Sequence, residues 1–334
     1  MVVPPRVRQG DTVAIVSPSA PAVAWWPHRV ERGCAYLQGL GLRTRLMPNA
    51  AAQDGWLAGT PQQRADDINA AFADSHVSAV LCSIGGNHSN QVAPLLDYDL
   101  IRANPKVFQG YSDIAVLHWA IQKHAGLSTF YGPALTVDLA EFPEVLSYTD
   151  TALRAAWFGD QPLRCTAAPE WTDEFLDFFQ QLDLTRPRRL APSQGWITVR
   201  EGVAEGLLQG GCLETICWHL KGSMHWLDLD GAVLLLETSE EAPSPAHIDG
   251  YLTDLAQLGV LDAIAGLVVA RPYGYDDEQA ALLWQVVAKH TVCPVLANVD
   301  CGRTDPMLTL PLGQPVRVDA AAGTLETLAP PTLA

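Results

Sequence analysis

Residues 79–90 read AVLCSIGGNHSN, and residues 106–113 read KVFQGYSD. In each, a short apolar run ends abruptly in a small-residue loop. The run 79–84 is continuously apolar, as expected of a strand buried on both faces. It ends in Gly85-Gly86-Asn87-His88-Ser89-Asn90. The run 106–109 predicts another strand, which ends in Gly110-Tyr111-Ser112-Asp113. Upstream, residues 12–17 (TVAIVS) form a β-branched strand that runs into Pro18, Ser19 and Pro21. Between the strands, Val30, Cys34, Leu37 and Leu40 recur at helical spacing, as do Ala65, Ile68 and Phe72. Residues 114–124 predict an amphipathic helix. Strand alternating with helix argues for a doubly wound parallel sheet over residues 10–160. Such sheets bind ligands at the carboxyl ends of their strands, where both loops lie.

Residues 160–200 change character, with Pro162, Pro169, Pro187 and Pro192 around the patch Glu170-Trp171-Thr172-Asp173-Glu174-Phe175. This reads as a linker with an active-site loop. Beyond it, strands are expected at 196–199, 203–208, 232–237, 267–270, 295–299 and 316–318. Helices are expected at 246–258 and 277–289. The pattern is that of a second, mixed α/β domain.

The 334 residues carry 37 acidic against 21 basic side chains, a net charge of −16. That excess repels phosphate backbones and anionic lipid, so neither nucleic acid nor membrane is expected as a partner. The N-terminal stretch lacks the apolar core of a signal peptide. The seven cysteines are scattered without a Cys-x-x-Cys pair, which fits reduced thiols in a cytoplasmic protein. The histidines show no metal-ligand spacing, so no metal and no cofactor is expected.

Four places carry candidate chemistry. Ser112, between a strand and a helix, is either a nucleophile backed by the next backbone N–H or a helix cap. The Gly85-Gly86 turn either frees N–H groups for an anion or merely satisfies a tight turn. Gly210-Gly211 permits the same two readings. Glu237 ends the apolar strand of LLLETSEE either as the partner of a histidine or arginine, or facing solvent. Arg303, in DCGRTDP, is either a carboxylate clamp or a surface residue.

Taken together, VAIVSPSAP (13–21), the 84–118 segment, FYGPAL (130–135), WTDEF (171–175), LLETSEE (235–241) and NVDCGRTDPMLTLPLG (298–313) resemble the LD-carboxypeptidase family of serine peptidases. The likeness is strongest to the branch holding the microcin C self-immunity protein. It implies a flavodoxin-like N-terminal domain (1–165), a linker and active-site loop (166–195), and a smaller, swivelling mixed α/β C-terminal domain (196–334). It also implies a homodimer that hydrolyses a small peptide-like or aminoacyl-nucleotide ligand without a cofactor. Ser112 falls at the nucleophile, Glu237 at the acid of a Ser-His-Glu triad, and the N–H groups of Gly86 and Asp113 at the oxyanion hole. Asn87, Trp171, Gly210 and Gly211 fall among substrate-binding positions. Where the family carries its histidine, this chain has Arg303. A guanidinium cannot take a proton from serine at neutral pH. His88, in the oxyanion loop, is the candidate for a relocated base, and Arg303 is expected to pair with Glu237. The remaining alternatives are a binding homologue without turnover and a non-hydrolytic acyl-transfer enzyme.

Overall fold

The computed structural model describes residues 1–334. Its first sheet contains β1 (Thr12–Val16), β2 (Arg43–Leu46), β3 (Val77–Cys82), β4 (Val107–Gly110) and β5 (Thr129–Tyr131). They lie in the order β2-β1-β3-β4-β5, all parallel. This is the flavodoxin-like strand order, with its switch point beside β1 and β3. β3 is buried at Val77 and from Ala79 to Cys82, which accounts for its unbroken apolar run. The helices Pro27–Gly39 and Pro61–Ala73 bury Val30 and Leu37, and Ala65, Ile68 and Phe72, respectively. Thr60 caps the second of these reciprocally with Gln63.

The helix after β4 differs from the sequence expectation. It begins as a 3₁₀ turn at Ser112–Ile114, continues as α over Ala115–Ala120 and ends as π over Ile121–Ala125. It is not amphipathic, because every residue from Ser112 to Gln122 is buried. The reason is its position between the two sheets. Trp119 Nε1 donates to the Gly210 carbonyl at 2.8 Å from one face, while His118 Nε2 donates to the Gly110 carbonyl from another.

The second sheet has eight strands. Its centre is parallel: Val203–Cys212, Val233–Glu237, Gly266–Ala270 and Val295–Val299. Antiparallel strands flank it, Pro315–Asp319 on one side and Ile197–Arg200 on the other. The helices Pro245–Gln257 and Asp277–His290 share an apolar cluster through Leu252, Leu255, Leu283 and Val287. Two short strands cross between the sequence-drawn segments. Arg164–Cys165 joins the second sheet through Thr324–Thr327, and Leu310–Leu312 pairs antiparallel with β5 at the edge of the first. Within 166–195, Glu170–Trp171 pairs with Ala191–Pro192. No helix is long and apolar enough to cross a membrane.

Candidate active site

Ser112 leaves β4 with φ of +65°, in the left-handed region that a non-glycine residue occupies only when its surroundings force it. The turn lifts its hydroxyl over the strand ends, the geometry of a nucleophile elbow without the usual G-x-S-x-G spelling. The glycine loop comes up against it. A Cβ at Gly85 would lie 3.1 Å from Ser112 Oγ, and one at Gly86 2.4 Å from Ser19 Oγ, so only glycine lets the loop approach this closely. Asp113 holds that loop in place: its Oδ2 accepts from the N–H of His88 and of Ser89, both at 2.9 Å, and from Ser89 Oγ at 2.7 Å. The Gly86 N–H donates to no acceptor within the protein.

Glu237 ends its strand buried, 1% exposed. Tyr131, at the end of β5, donates its hydroxyl to Glu237 Oε1 at 2.5 Å and accepts the Ser112 N–H at 2.9 Å. One tyrosine thus joins the acid of the second sheet to the serine of the first. Burial pushes the Glu237 carboxyl up to about 7, against the opposing pull of Arg303 and of the Tyr131 hydrogen bond. Its Oε2 has no partner and faces Gly302, where a Cβ would lie 2.0 Å away. Tyr131→Phe would leave the buried Ser112 N–H unsatisfied, with an expected cost of about 2 kcal/mol in urea unfolding.

Arg303 does not pair with Glu237 as the sequence led us to expect. Its Nη2 meets Glu240 Oε2 at 2.6 Å and donates to Ser112 Oγ at 2.5 Å. The guanidinium also sits over Tyr111, 5.1 Å from the ring centroid. With Gly302 tight against Glu237, the long side chain passes the buried acid and takes the half-exposed Glu240 instead. Burial pulls its pKa down, but Glu240, Tyr111 and Glu237 together raise it above the ordinary value. The charge at Arg303 is therefore permanent, and it points at the Ser112 hydroxyl. The ion pair roofs the cleft, leaving a cavity of about 20 Å³ over Ser112, room for about one water.

The other predicted residues divide. Gly86 and Asn87 line this cleft. His88 does not reach Ser112: with its N–H tied to Asp113 and Ser19, the ring turns outward to lie beside Trp56. His118 is no substitute, since burial lowers its pKa to about 4 and its Nε2 is committed to Gly110. The Trp171 segment reaches the Arg303 loop through paired backbone bonds between Thr172 and Asp305. Its indole, however, lies over Arg271 and lines a separate cavity of about 400 Å³. Gly210 and Gly211 line no part of the cleft; they are packing positions. A Cβ at Gly210 would lie 1.9 Å from the Leu235 carbonyl, and one at Gly211 2.8 Å from Ala115 Cβ.

Sequence reasoning missed Tyr131, Glu240, Glu214 and Trp218. A tyrosine in a short buried strand was a signal for the first, because its hydroxyl must find a partner there. Cys212 also lines the cleft, but burial, then Glu237, hold its thiol well above the usual range, so the hydroxyl of Ser112 is the nucleophile on offer. No three His, Cys, Asp or Glu side chains gather to hold a metal ion.

Residues 13–132 match the N-terminal domain of LD-carboxypeptidase and residues 205–318 its C-terminal domain. The Escherichia coli microcin C7 self-immunity protein MccF is 31% identical over 93% of this chain and 91% of its own. The Bacillus subtilis protein named probable murein peptide carboxypeptidase is 30% identical over 96% and 92%. Among solved structures, the microcin C7 self-immunity protein in complex with aspartyl sulfamoyl adenosine superposes with a TM-score of 0.91 at 28% identity, each chain fully covered. An MccF-like protein of Bacillus anthracis gives 0.90 at 26%, covering 98% of this chain and all of its own. With both domains matched in order around a serine elbow and a buried glutamate, the chain belongs to the LD-carboxypeptidase family of peptide hydrolases.

Proposed function

We propose that this protein binds a small peptide-like or aminoacyl-nucleotide amide at Ser112 and cleaves it slowly, because Arg303 occupies the place where a general base is needed. The 2.5 Å contact from Arg303 Nη2 to Ser112 Oγ carries this reading. It presents a proton donor to a hydroxyl that must lose a proton to attack. What remains is binding and oxyanion stabilisation by the Gly86 and Asp113 N–H groups. In triad hydrolases that remainder alone is worth about 10³–10⁴ over water. The Arg303–Glu240 pair must open for ligand to enter, and a ligand carboxylate or phosphate would then compete for the guanidinium.

The test is calorimetric binding of an LD-dipeptide and of an aminoacyl sulfamoyl adenosine, with amine release followed in parallel. Ser112→Ala is expected to leave affinity within about three-fold, since the hydroxyl is not needed for binding. Loss of affinity in Ser112→Ala, or no binding by the unsubstituted chain, would overturn the assignment of this cleft.

A further inference from the structure

We propose that the cleft over Ser112 selects a ligand whose acyl side chain is cationic, a lysyl-, ornithyl- or arginyl-type group held by Glu214 and Glu241. This rests on the reading of the cleft as an amide-binding site and adds the charge of the group it takes. The lining contains three carboxylates, Glu214, Glu240 and Glu241, and one cation, Arg303. Glu240 already neutralises Arg303, so Glu214 and Glu241 face the cleft without a counter-ion.

Glu214 is the decisive residue because it is only 2% exposed. Its Oε1 accepts from the Ser239 N–H at 2.9 Å and from Ser239 Oγ at 2.7 Å. Those bonds fix the carboxylate's direction without cancelling its charge. Its Oε2 meets only the Cys212 thiol, at 3.5 Å. A buried carboxylate without a counter-ion is unfavourable unless a cation arrives, and Glu214 is among the residues that line the cleft. From the same helical segment, Trp218 stands at the cleft with half its surface exposed, offering a ring face to an ammonium or guanidinium. Glu241, exposed at the rim, adds like charge, and the net charge of −16 draws cations towards the whole surface. An acidic acyl group, such as the aspartyl or glutamyl moiety bound by the structural relatives, would meet repulsion here.

Lysyl-, glutaminyl- and glutamyl-sulfamoyl adenosine share the nucleoside and the α-ammonium; the glutaminyl and glutamyl side chains are near-isosteric and differ in charge, while the lysyl side chain is longer and cationic. Titrated into the full chain carrying Ser112→Ala, the lysyl compound is expected to bind at least ten-fold tighter than the glutaminyl one and about a hundred-fold tighter than the glutamyl one. Glu214→Gln and Glu241→Gln should each shrink that preference several-fold. Glu241 is a surface residue, so its variant remains informative even if Glu214→Gln folds poorly. Equal binding of the lysyl and glutaminyl compounds, tighter binding of the glutamyl one, or a lysyl preference untouched by either substitution would overturn the charge assignment while leaving the amide-binding reading intact. Failure of all three to bind would sink both.

Discussion

Arg303→His raises amide hydrolysis by about 10³-fold, the scale on which a positioned general base contributes to a serine hydrolase. The site is prepared for it at both ends. On one side, Glu237 Oε2 is buried and without a partner, the acceptor that an imidazole Nδ1–H requires to fix its tautomer. On the other, position 303 already delivers a nitrogen to Ser112 Oγ. An imidazole there accepts the serine proton, which a guanidinium cannot. Amine release from LD-dipeptides and from an aminoacyl sulfamoyl adenosine measures the gain. Adding Ser112→Ala or Glu237→Gln to Arg303→His should abolish it, because members of one catalytic unit are not additive. A native chain that already turns over rapidly, with Arg303→His changing it less than ten-fold, would mean that another base operates, and His88→Ala would identify or dismiss it.

Glu237→Gln stabilises the protein by about 3 kcal/mol at pH 8 and by nothing measurable at pH 4. The fold raises this carboxyl from 4.5 to about 7 through burial, so the native state holds the proton more tightly than the unfolded chain does. The stabilisation this confers is complete below pH 4.5, declines as pH rises and is gone above 7; the stated magnitude follows from about 1.4 kcal/mol per pH unit between those limits. Glutamine keeps an oxygen for the Tyr131 hydroxyl and has no charge to desolvate. Urea midpoints of the two proteins across pH 4–9 should therefore diverge upwards from pH 4.5. Parallel curves would mean that Glu237 is solvated. A group that destabilises the fold at working pH belongs to function rather than to packing. In the Arg303→His protein an imidazolium beside Glu237 would hold it ionised and flatten the same curve.

Much of this was legible in the residues. The buried run 79–84 and the breaks at Gly85-Gly86 and Gly110-Tyr111-Ser112 follow from local rules: apolar runs seek burial, and small residues mark where a chain must turn or let another approach. Those rules placed three of the five parallel strands of the first sheet and the glycine loop within about two residues; they did not mark Arg43–Leu46 or Thr129–Tyr131 as strands, and they left Ser112 open between elbow and cap. They failed at the helix after Ser112, because amphipathicity presumes a solvent side and this helix has a second sheet there instead. Gly210 and Gly211 failed for a related reason: a glycine pair after a strand looks the same whether it faces a ligand or another helix.

The sequence by itself determined the alternation of strand and helix, a serine at the turn after β4 and the absence of a histidine at position 303, since each depends on residue type and near neighbours. Only the tertiary structure decided that Arg303 takes Glu240 rather than Glu237, that Tyr131 bridges serine and acid, and that Glu214 enters the cleft uncompensated. Those are choices among charged and polar partners far apart in sequence. They turn on ångström-scale distance and on burial, because Coulomb and desolvation energies change several-fold between a rim and an interior.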